Sequence, residues 1–171
     1  MVRQCAGWVT IAMTVGLDIV RTVKLRRWQW KELPTYNGFV HHERIKGWQL
    51  INLLVDLGQI DKPRQCSISG AVEGLQFHSE SYYSWSPYVV CQPIHMALHQ
   101  RFKKPDAWQR IVDRYAASGV EWFATLSQTP VDLASDLRRI HGDSVADIFT
   151  RAPIPSHVCI DRSANPQRIA R

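Results

Sequence analysis

Three histidines in the middle of the chain have the spacing of a metal site. His95 and His99 are four residues apart, and His78 lies upstream in a run that alternates weakly like a strand. On a helix, side chains four residues apart share a face, so two imidazoles can converge on one ion while the third arrives from a hairpin. The sequence therefore predicts a metal centre suited to metal-assisted phosphodiester chemistry.

The residues around these histidines follow an ordered pattern. It comprises Cys66, then the run 75–80 (LQFHSE), then the run 89–99 (VVCQPIHMALH). This order resembles the HNH endonuclease motif, the ββα-metal fold, over roughly a fifth of the chain. The resemblance implies a DNA endonuclease that uses a divalent ion, with Mg, Mn, Ni and Zn all open. It assigns His78 as the ligand on the hairpin and His95 and His99 as the ligands on the helix.

The general-base position of the resembled motif falls on Ser79. A serine hydroxyl cannot accept a proton from water near neutral pH as an imidazole can. Two alternatives stay open at this stage. In one, a register shifted by one residue makes His78 the base and leaves the metal to the helix pair, alone or with a neighbouring carboxylate. In the other, Glu80 or a metal-bound water accepts the proton.

The sequence is therefore compatible with three functions. The first is a metal-dependent endonuclease that cleaves DNA, with His78 and Glu80 as the candidate catalytic residues. The second is a catalytically inactive, nuclease-like module that binds nucleic acid after losing the base. The third is a helical interaction protein in which the histidines are incidental.

The cysteines of the motif do not complete a structural zinc site. Relatives in the family often carry two Cys-x-x-Cys pairs, and four thiolates form a closed tetrahedral site. Here Cys66 is followed by Ser69, and Cys91 is followed by Ile94. We therefore expect no structural zinc, with Cys66 and Cys91 facing each other as small buried groups. The asparagine that often pins the hairpin loop in the family is missing between residues 66 and 102.

The other histidines have simpler explanations. His41 and His42 are predicted to open a helix, and no partner lies nearby at ligand spacing. His141 precedes Gly142 at a predicted helix end, and His157 lies in a proline-flanked tail. None is assigned a catalytic role.

Composition indicates an acidic partner. The 171-residue chain carries a net charge of +6, and its pI is about 9.4. Nucleic acid is the commonest polyanion that fits. Arg101, Lys103 and Lys104 follow the ligand helix and are predicted to contact DNA phosphates. The alternative is a solvated cationic helix end.

The four cysteines are widely spaced, which indicates a reducing, cytoplasmic setting and not a disulfide scaffold. The apolar run 5–17 is too short to span a bilayer and lacks a convincing cleavage site, so no membrane partner is expected. The oligomeric state is not predicted.

An α+β fold is expected, mainly helical, with a small ββα-metal unit embedded among the helices. Residues 1–32 form an apolar and then basic segment, residues 33–150 a single domain with the motif at 66–102, and residues 151–171 a flexible basic tail. Helices are predicted over 42–57, from about Pro93 to Phe102, over 106–117 with Asp106 as the cap, and from Thr129–Asp132 to Ile140.

The basic stretch from Arg21 to Trp30 interleaves cations with tryptophans. Such a segment can grip phosphates and stack on bases. We favour the plainer interpretation, an amphipathic segment whose tryptophans pack on the core.

Overall fold

A computed structural model of the protein describes residues 21–142 and 147–161. The apolar run 5–17 and the last basic residues of the predicted tail, 162–171, lie outside that part. The described residues form an α+β fold with small sheets, as the sequence predicts. In chain order its elements are β1 (Arg21–Lys24), α1 (His41–Asp56), β2 (Leu75–His78), β3 (Tyr88–Cys91), α2 (Gln92–Gln100), α3 (Pro105–Tyr115), α4 (Leu133–His141), α5 (Ile148–Arg151) and β4 (Val158–Asp161).

Strands β2 and β3 form an antiparallel hairpin that leads directly into α2. Leu75 pairs with Cys91 and His78 pairs with Tyr88, so the last residue of β2 lies opposite the first residue of β3. Cys91 is also the residue that precedes α2, and a proline stands in the first turn of the helix, where its missing N–H costs little. The amide of Gln92 donates to the carbonyl of Gly74 at 2.9 Å, which ties the start of the helix to the start of the hairpin.

Beneath this unit lies a hydrophobic core that the hairpin, α2, α3 and a later loop share. Its most deeply buried members are Val90, Leu98 and Trp108. Burying a large apolar side chain contributes about 1.5–3 kcal/mol. The core therefore holds the hairpin against the helix and limits how far their side chains can separate.

A second core lies under α1. Leu50, Leu53 and Leu54 of that helix pack with Ile148 and Phe149 of α5, and Leu25 adds to the cluster just after β1. The predicted helix 42–57 is confirmed within one residue at each end.

The prediction of a flexible tail from residue 151 is wrong for residues 158–161. These residues form β4, which pairs in parallel with β1 from Arg21↔Val158 to Lys24↔Asp161. Val23 and Ile160 pack against the second core, which explains why both ends of the described chain are ordered there. Pro153 and Pro155, two of the prolines behind that prediction, precede the strand and do not interrupt it.

The later helices follow their capping signals with one exception. Asp106 does not cap α3; it lies in the first turn, where a carboxylate still favours the helix dipole. The side chain of Asp132 accepts a hydrogen bond from the amide of Ser135 and caps α4. His141 and Gly142 end that helix, as predicted. No described helix is long and apolar enough to cross a membrane.

Candidate metal centre

The structure brings the three predicted ligands together. His95 and His99 lie on one face of α2 with their Nε2 atoms 3.0 Å apart. The ring of His78, at the end of β2, has its centroid 5.3 Å from that of His95 and 5.1 Å from that of His99. One ligand atom from each of the three residues lies within 4.8 Å of the other two. Ligand atoms at about 2.0–2.1 Å from one tetrahedral ion lie about 3.4 Å apart, so the most distant pair would close by up to about 1.4 Å on binding an ion.

His78 has one ring nitrogen without a hydrogen-bond partner among the described residues. Its side chain is almost fully buried, and Nε2 lies 2.8 Å from Oε1 of Glu80. Because an ionised carboxylate only accepts hydrogen bonds, Nε2 carries the proton and Nδ1 keeps a lone pair. Nδ1 is buried and has no hydrogen-bond partner among the described residues. A buried acceptor without a partner is costly, and a metal ion would satisfy it.

His95 is oriented in a similar way. The side-chain carbonyl of Gln76, on β2, accepts a hydrogen bond from Nδ1–H of His95 at 2.5 Å. This fixes the tautomer and leaves the Nε2 lone pair directed at His99. Metal-binding histidines usually donate their other N–H to a carboxylate or carbonyl in this manner. His78 and His95 both have that support.

All three imidazoles favour the neutral form, which is the form that binds metals. Burial lowers the pKa of His95 to about 4, with the charge of His78 adding to the effect. Burial and the neighbouring imidazoles lower the pKa of His99 to about 2. Burial also lowers the pKa of His78, although Glu80 opposes that shift.

Glu80 is the centre of a buried hydrogen-bond network that the sequence does not reveal. Its carboxylate accepts from Nη2 of Arg101, from the hydroxyl of Tyr36 and from Nδ2 of Asn37, each at 2.7 Å. Burial opposes its ionisation, but the hydrogen bond from His78, the charge of Arg101 and the hydrogen bond from Tyr36 outweigh burial and lower its pKa to about 2. A carboxylate this acidic is a weak proton acceptor. The structure therefore argues against Glu80 as the general base and makes it a residue that positions His78.

Arg101 is not available to a phosphate, so the predicted DNA contact is wrong for this residue. Its side chain is 1% exposed, and besides binding Glu80 it donates through Nε to the carbonyl of Ser127 at 2.7 Å. A buried arginine needs such an anion, because an uncompensated charge in the interior is strongly unfavourable. Lys103 and Lys104 are exposed and form no ion pair within the described ranges, so their phosphate contacts stay a prediction.

No asparagine lies within residues 66–102, but Asn37 binds the chain just after β2. Its Nδ2 donates to the backbone carbonyl of Glu80 at 3.1 Å as well as to the Glu80 side chain. Asn37 has a positive φ of 50°, which asparagine tolerates better than most residues. The signal in the sequence is the turn-rich run 33–38 (LPTYNG). Tyr36, from the same turn, has its ring centroid 4.4 Å from that of His99.

The two cysteines of the motif are packed in a hydrophobic core. Cys66, Cys91 and Ile94 belong to one hydrophobic core, and both thiols are free and buried, as predicted. Ser69 lies between the thiols: its Oγ is 3.6 Å from Sγ of Cys91, and its amide donates to Sγ of Cys66. Burial opposes ionisation of Cys66, but the hydrogen bonds from Ser69 prevail and lower its pKa to about 7.

The remaining histidines lie elsewhere. Nδ1 of His41 accepts from the amide of Leu33 at 2.9 Å, and His42 is exposed in the first turn of α1. In the part of the chain that the structure describes, the group that could hold a metal consists of His78, His95 and His99 alone.

No protein-family model matches the chain, and neither the search of curated proteins nor that of solved structures returned a significant match.

Proposed function

We propose that the chain is an HNH-like, metal-dependent endonuclease that hydrolyses DNA phosphodiester bonds. The observation that carries this proposal is the convergence of His78, His95 and His99 within 4.8 Å. Support comes from the order of the elements: a hairpin provides one ligand, and the helix that follows it provides two, four residues apart. This is the arrangement that the resemblance to the ββα-metal fold implies.

The donor set favours particular ions. Imidazole nitrogens suit zinc, nickel and other borderline transition metals, whereas magnesium prefers oxygen ligands. Three protein ligands leave at least one coordination position for substrate, which distinguishes catalytic zinc sites from closed structural ones. A divalent ion held there polarises a phosphoryl oxygen and lowers the pKa of water.

The protein's own groups determine where protons can go. The half-buried Ser79 cannot act as a base near neutral pH, and Glu80 is held by Arg101, Tyr36 and Asn37. His78 has its Nδ1 lone pair free and its Nε2–H fixed by Glu80. It can bind the ion or, as the alternative, act as a base beside a metal held by His95 and His99.

The two roles of His78 give different kinetics. If His78 is a ligand, His78→Ala lowers the affinity for the metal and the rate of cleavage together. If it is the base, the variant keeps most of its metal affinity and loses kcat, and the pH dependence of kcat changes.

The second candidate is a nuclease-like module that binds nucleic acid without cutting it. The serine at position 79 favours this candidate, since no imidazole is present where the motif places the base. Both candidates need the same basic surface, for which Lys103, Lys104 and the net charge of +6 provide support.

A plasmid-nicking assay with added zinc, nickel, manganese or magnesium tests the proposal. We expect nicking that requires a divalent ion, stops with EDTA, and is lost in His99→Ala but kept in His42→Ala, the matched exposed histidine. DNA binding without nicking under every ion supports the inactive module. If the protein neither binds nor nicks DNA, both candidates are refuted.

A further inference from the structure

The segment between β1 and α1 carries Trp28 and Trp30, which cluster with Trp48 of α1 at the surface. The ring centroids of Trp28 and Trp30 are 4.7 Å apart, and those of Trp28 and Trp48 are 5.3 Å apart, both edge to face. Trp30 keeps 65% of its surface exposed, and none of the three is a member of either hydrophobic core. The favoured interpretation from the sequence, that Trp28 and Trp30 pack on the core, is therefore wrong: they pack on each other and on Trp48.

The backbone that presents the cluster is anchored on both sides. Leu25 is buried in the second core, and Nε2 of the buried Gln49 donates to the carbonyl of Arg26 at 2.9 Å. The guanidinium of Arg26 binds both carboxylate oxygens of Asp56 on α1, at 3.2 and 2.6 Å. Nε1 of Trp28 donates to the carbonyl of Lys31 at 3.1 Å, which closes the turn around Trp30. The exposed indole is thus held in place before any partner arrives.

Two cations lie near Trp30 in the chain, three residues before it and directly after it. Arg26 is engaged with Asp56, but Arg27 and Lys31 are exposed and form no ion pair with any residue that the structure describes. An immobilised aromatic face flanked by free cations suits a ligand that alternates flat rings with negative charges. Unpaired nucleotides have that chemistry.

We propose that Trp28, Trp30 and Trp48, with Arg27 and Lys31, form a tryptophan patch that binds single-stranded nucleic acid. A base stacks on the exposed face of Trp30, while Arg27 and Lys31 contact the adjoining phosphates. Duplex ends aside, paired bases offer no free face, so the patch prefers single strands to duplex. The contact needs no metal ion, and it extends the proposed function without depending on it.

An anionic membrane is the other surface that tryptophans and cations can meet. Interfacial binding needs a broad apolar face that enters the acyl region. Over residues 25–35, Trp30 is the one large apolar side chain that is mostly exposed. A single indole among polar neighbours favours stacking on a base over insertion into lipid.

The test measures binding of the full chain to a labelled oligodeoxythymidylate of about 12 nucleotides in EDTA, by fluorescence anisotropy over a range of salt concentrations. We expect Trp30→Ala to weaken binding about 10-fold or more, and Trp30→Phe to restore most of it because a ring face returns. Replacing both Arg27 and Lys31 by alanine should reduce the slope of log K against log salt by about 0.7 per cation. The matched control replaces Lys62 and Arg64, an exposed pair of the same charge, and should change the slope less.

The proposal is overturned if Trp30→Ala binds the oligonucleotide as the wild type does, or if the control pair lowers the slope as much as Arg27 and Lys31. It is also overturned if the wild type binds phosphatidylserine vesicles and not the oligonucleotide. Because EDTA removes divalent ions, the binding test does not depend on the metal site. If the wild type binds the oligonucleotide in EDTA but nicks no plasmid with any added ion, the proposed nuclease alone is refuted. If it nicks plasmid but does not bind the oligonucleotide, the tryptophan patch alone is refuted.

Discussion

Nε2 of His78 lies 2.8 Å from Oε1 of Glu80, two residues further along the chain. The contact sets the tautomer of a buried imidazole and leaves Nδ1 as its only nitrogen with a lone pair for a metal. Glu80 is itself fixed by Arg101, Tyr36 and Asn37. The orientation of one candidate ligand is therefore maintained by a chain of hydrogen bonds that extends to the turn before α1.

Replacing Glu80 by glutamine should weaken metal binding. The loss of the carboxylate removes the charge that favours Nε2–H and that makes Nδ1 a better donor. Changes to such partners typically reduce metal affinity about 10–100-fold. Calorimetric titration with zinc measures the affinity, and Glu73→Gln, an exposed glutamate in the loop before β2, is the control.

The same change should also reduce stability, because Arg101 stays buried without its anion, so the titration is made where thermal denaturation shows the variant to be folded. If folded Glu80→Gln binds zinc with unchanged affinity, Glu80 does not position His78 for a metal.

Arg101 and the lysines that follow it should behave differently. Arg101→Ala is expected to destabilise the protein by about 3–5 kcal/mol, because it leaves the Glu80 carboxylate buried and unpaired. The double variant with Lys103→Ala and Lys104→Ala should keep its stability and bind duplex DNA with a salt slope lower by about 0.9 for each phosphate that a lysine neutralises in the wild type. Urea denaturation and DNA titration at several salt concentrations measure these effects. A stable Arg101→Ala variant with weakened DNA binding would restore the original prediction for Arg101.

Glu43 should make stability depend on pH. Its carboxylate accepts hydrogen bonds from the amide of Val40 and the hydroxyl of Tyr83, at 2.9 and 2.8 Å, and pairs with Arg138. Burial opposes ionisation of Glu43, but these contacts prevail and hold its pKa below the ordinary value of 4.5. Because the folded-state pKa is the lower one, the stabilisation is complete above the unfolded-state pKa and is lost as the pH falls through the folded-state pKa.

We expect Glu43→Gln to lower the free energy of unfolding at neutral pH by about 1.5–3 kcal/mol, the usual range for hydrogen bonds to a charged group. The difference from the wild type should shrink once the pH falls below the ordinary carboxyl pKa. Urea denaturation at neutral pH and at a pH below the ordinary carboxyl pKa measures this difference in the free energy of unfolding. Asp136→Asn is the exposed control, for which a change below about 1 kcal/mol is expected. An equal deficit at neutral and acid pH would mean that shape, and not charge, is what the substitution removes.

The sequence predicts the local part of the site well. The spacing of His95 and His99 is a property of one helix, and the hairpin that carries His78 is closed over a short stretch of chain, so both follow from periodicity. The network around Glu80 is different. Asn37 lies 43 residues from Glu80 in the chain, and tertiary packing alone brings them together. The prediction that Arg101 contacts DNA failed for a similar reason, since a buried arginine and an exposed one look the same in a sequence.

The same reasoning applies to the fold. The helices α1 to α4 have apolar spacing and end signals that can be found locally, although Asp106 shows that a capping residue type does not guarantee a cap. The pairing of β1 with β4 joins segments at opposite ends of the described chain, and four residues are too few for a clear alternating pattern. Short strands with distant partners are the part that the sequence could not predict.

Crystals of the protein grown or soaked with zinc, measured on both sides of the zinc absorption edge, show whether the three histidines hold an ion. We predict one anomalous peak at about 2.0–2.1 Å from a ring nitrogen of each of His78, His95 and His99, with Nδ1 as the donor atom of His78. A site without a peak, with the three rings in place, would contradict it.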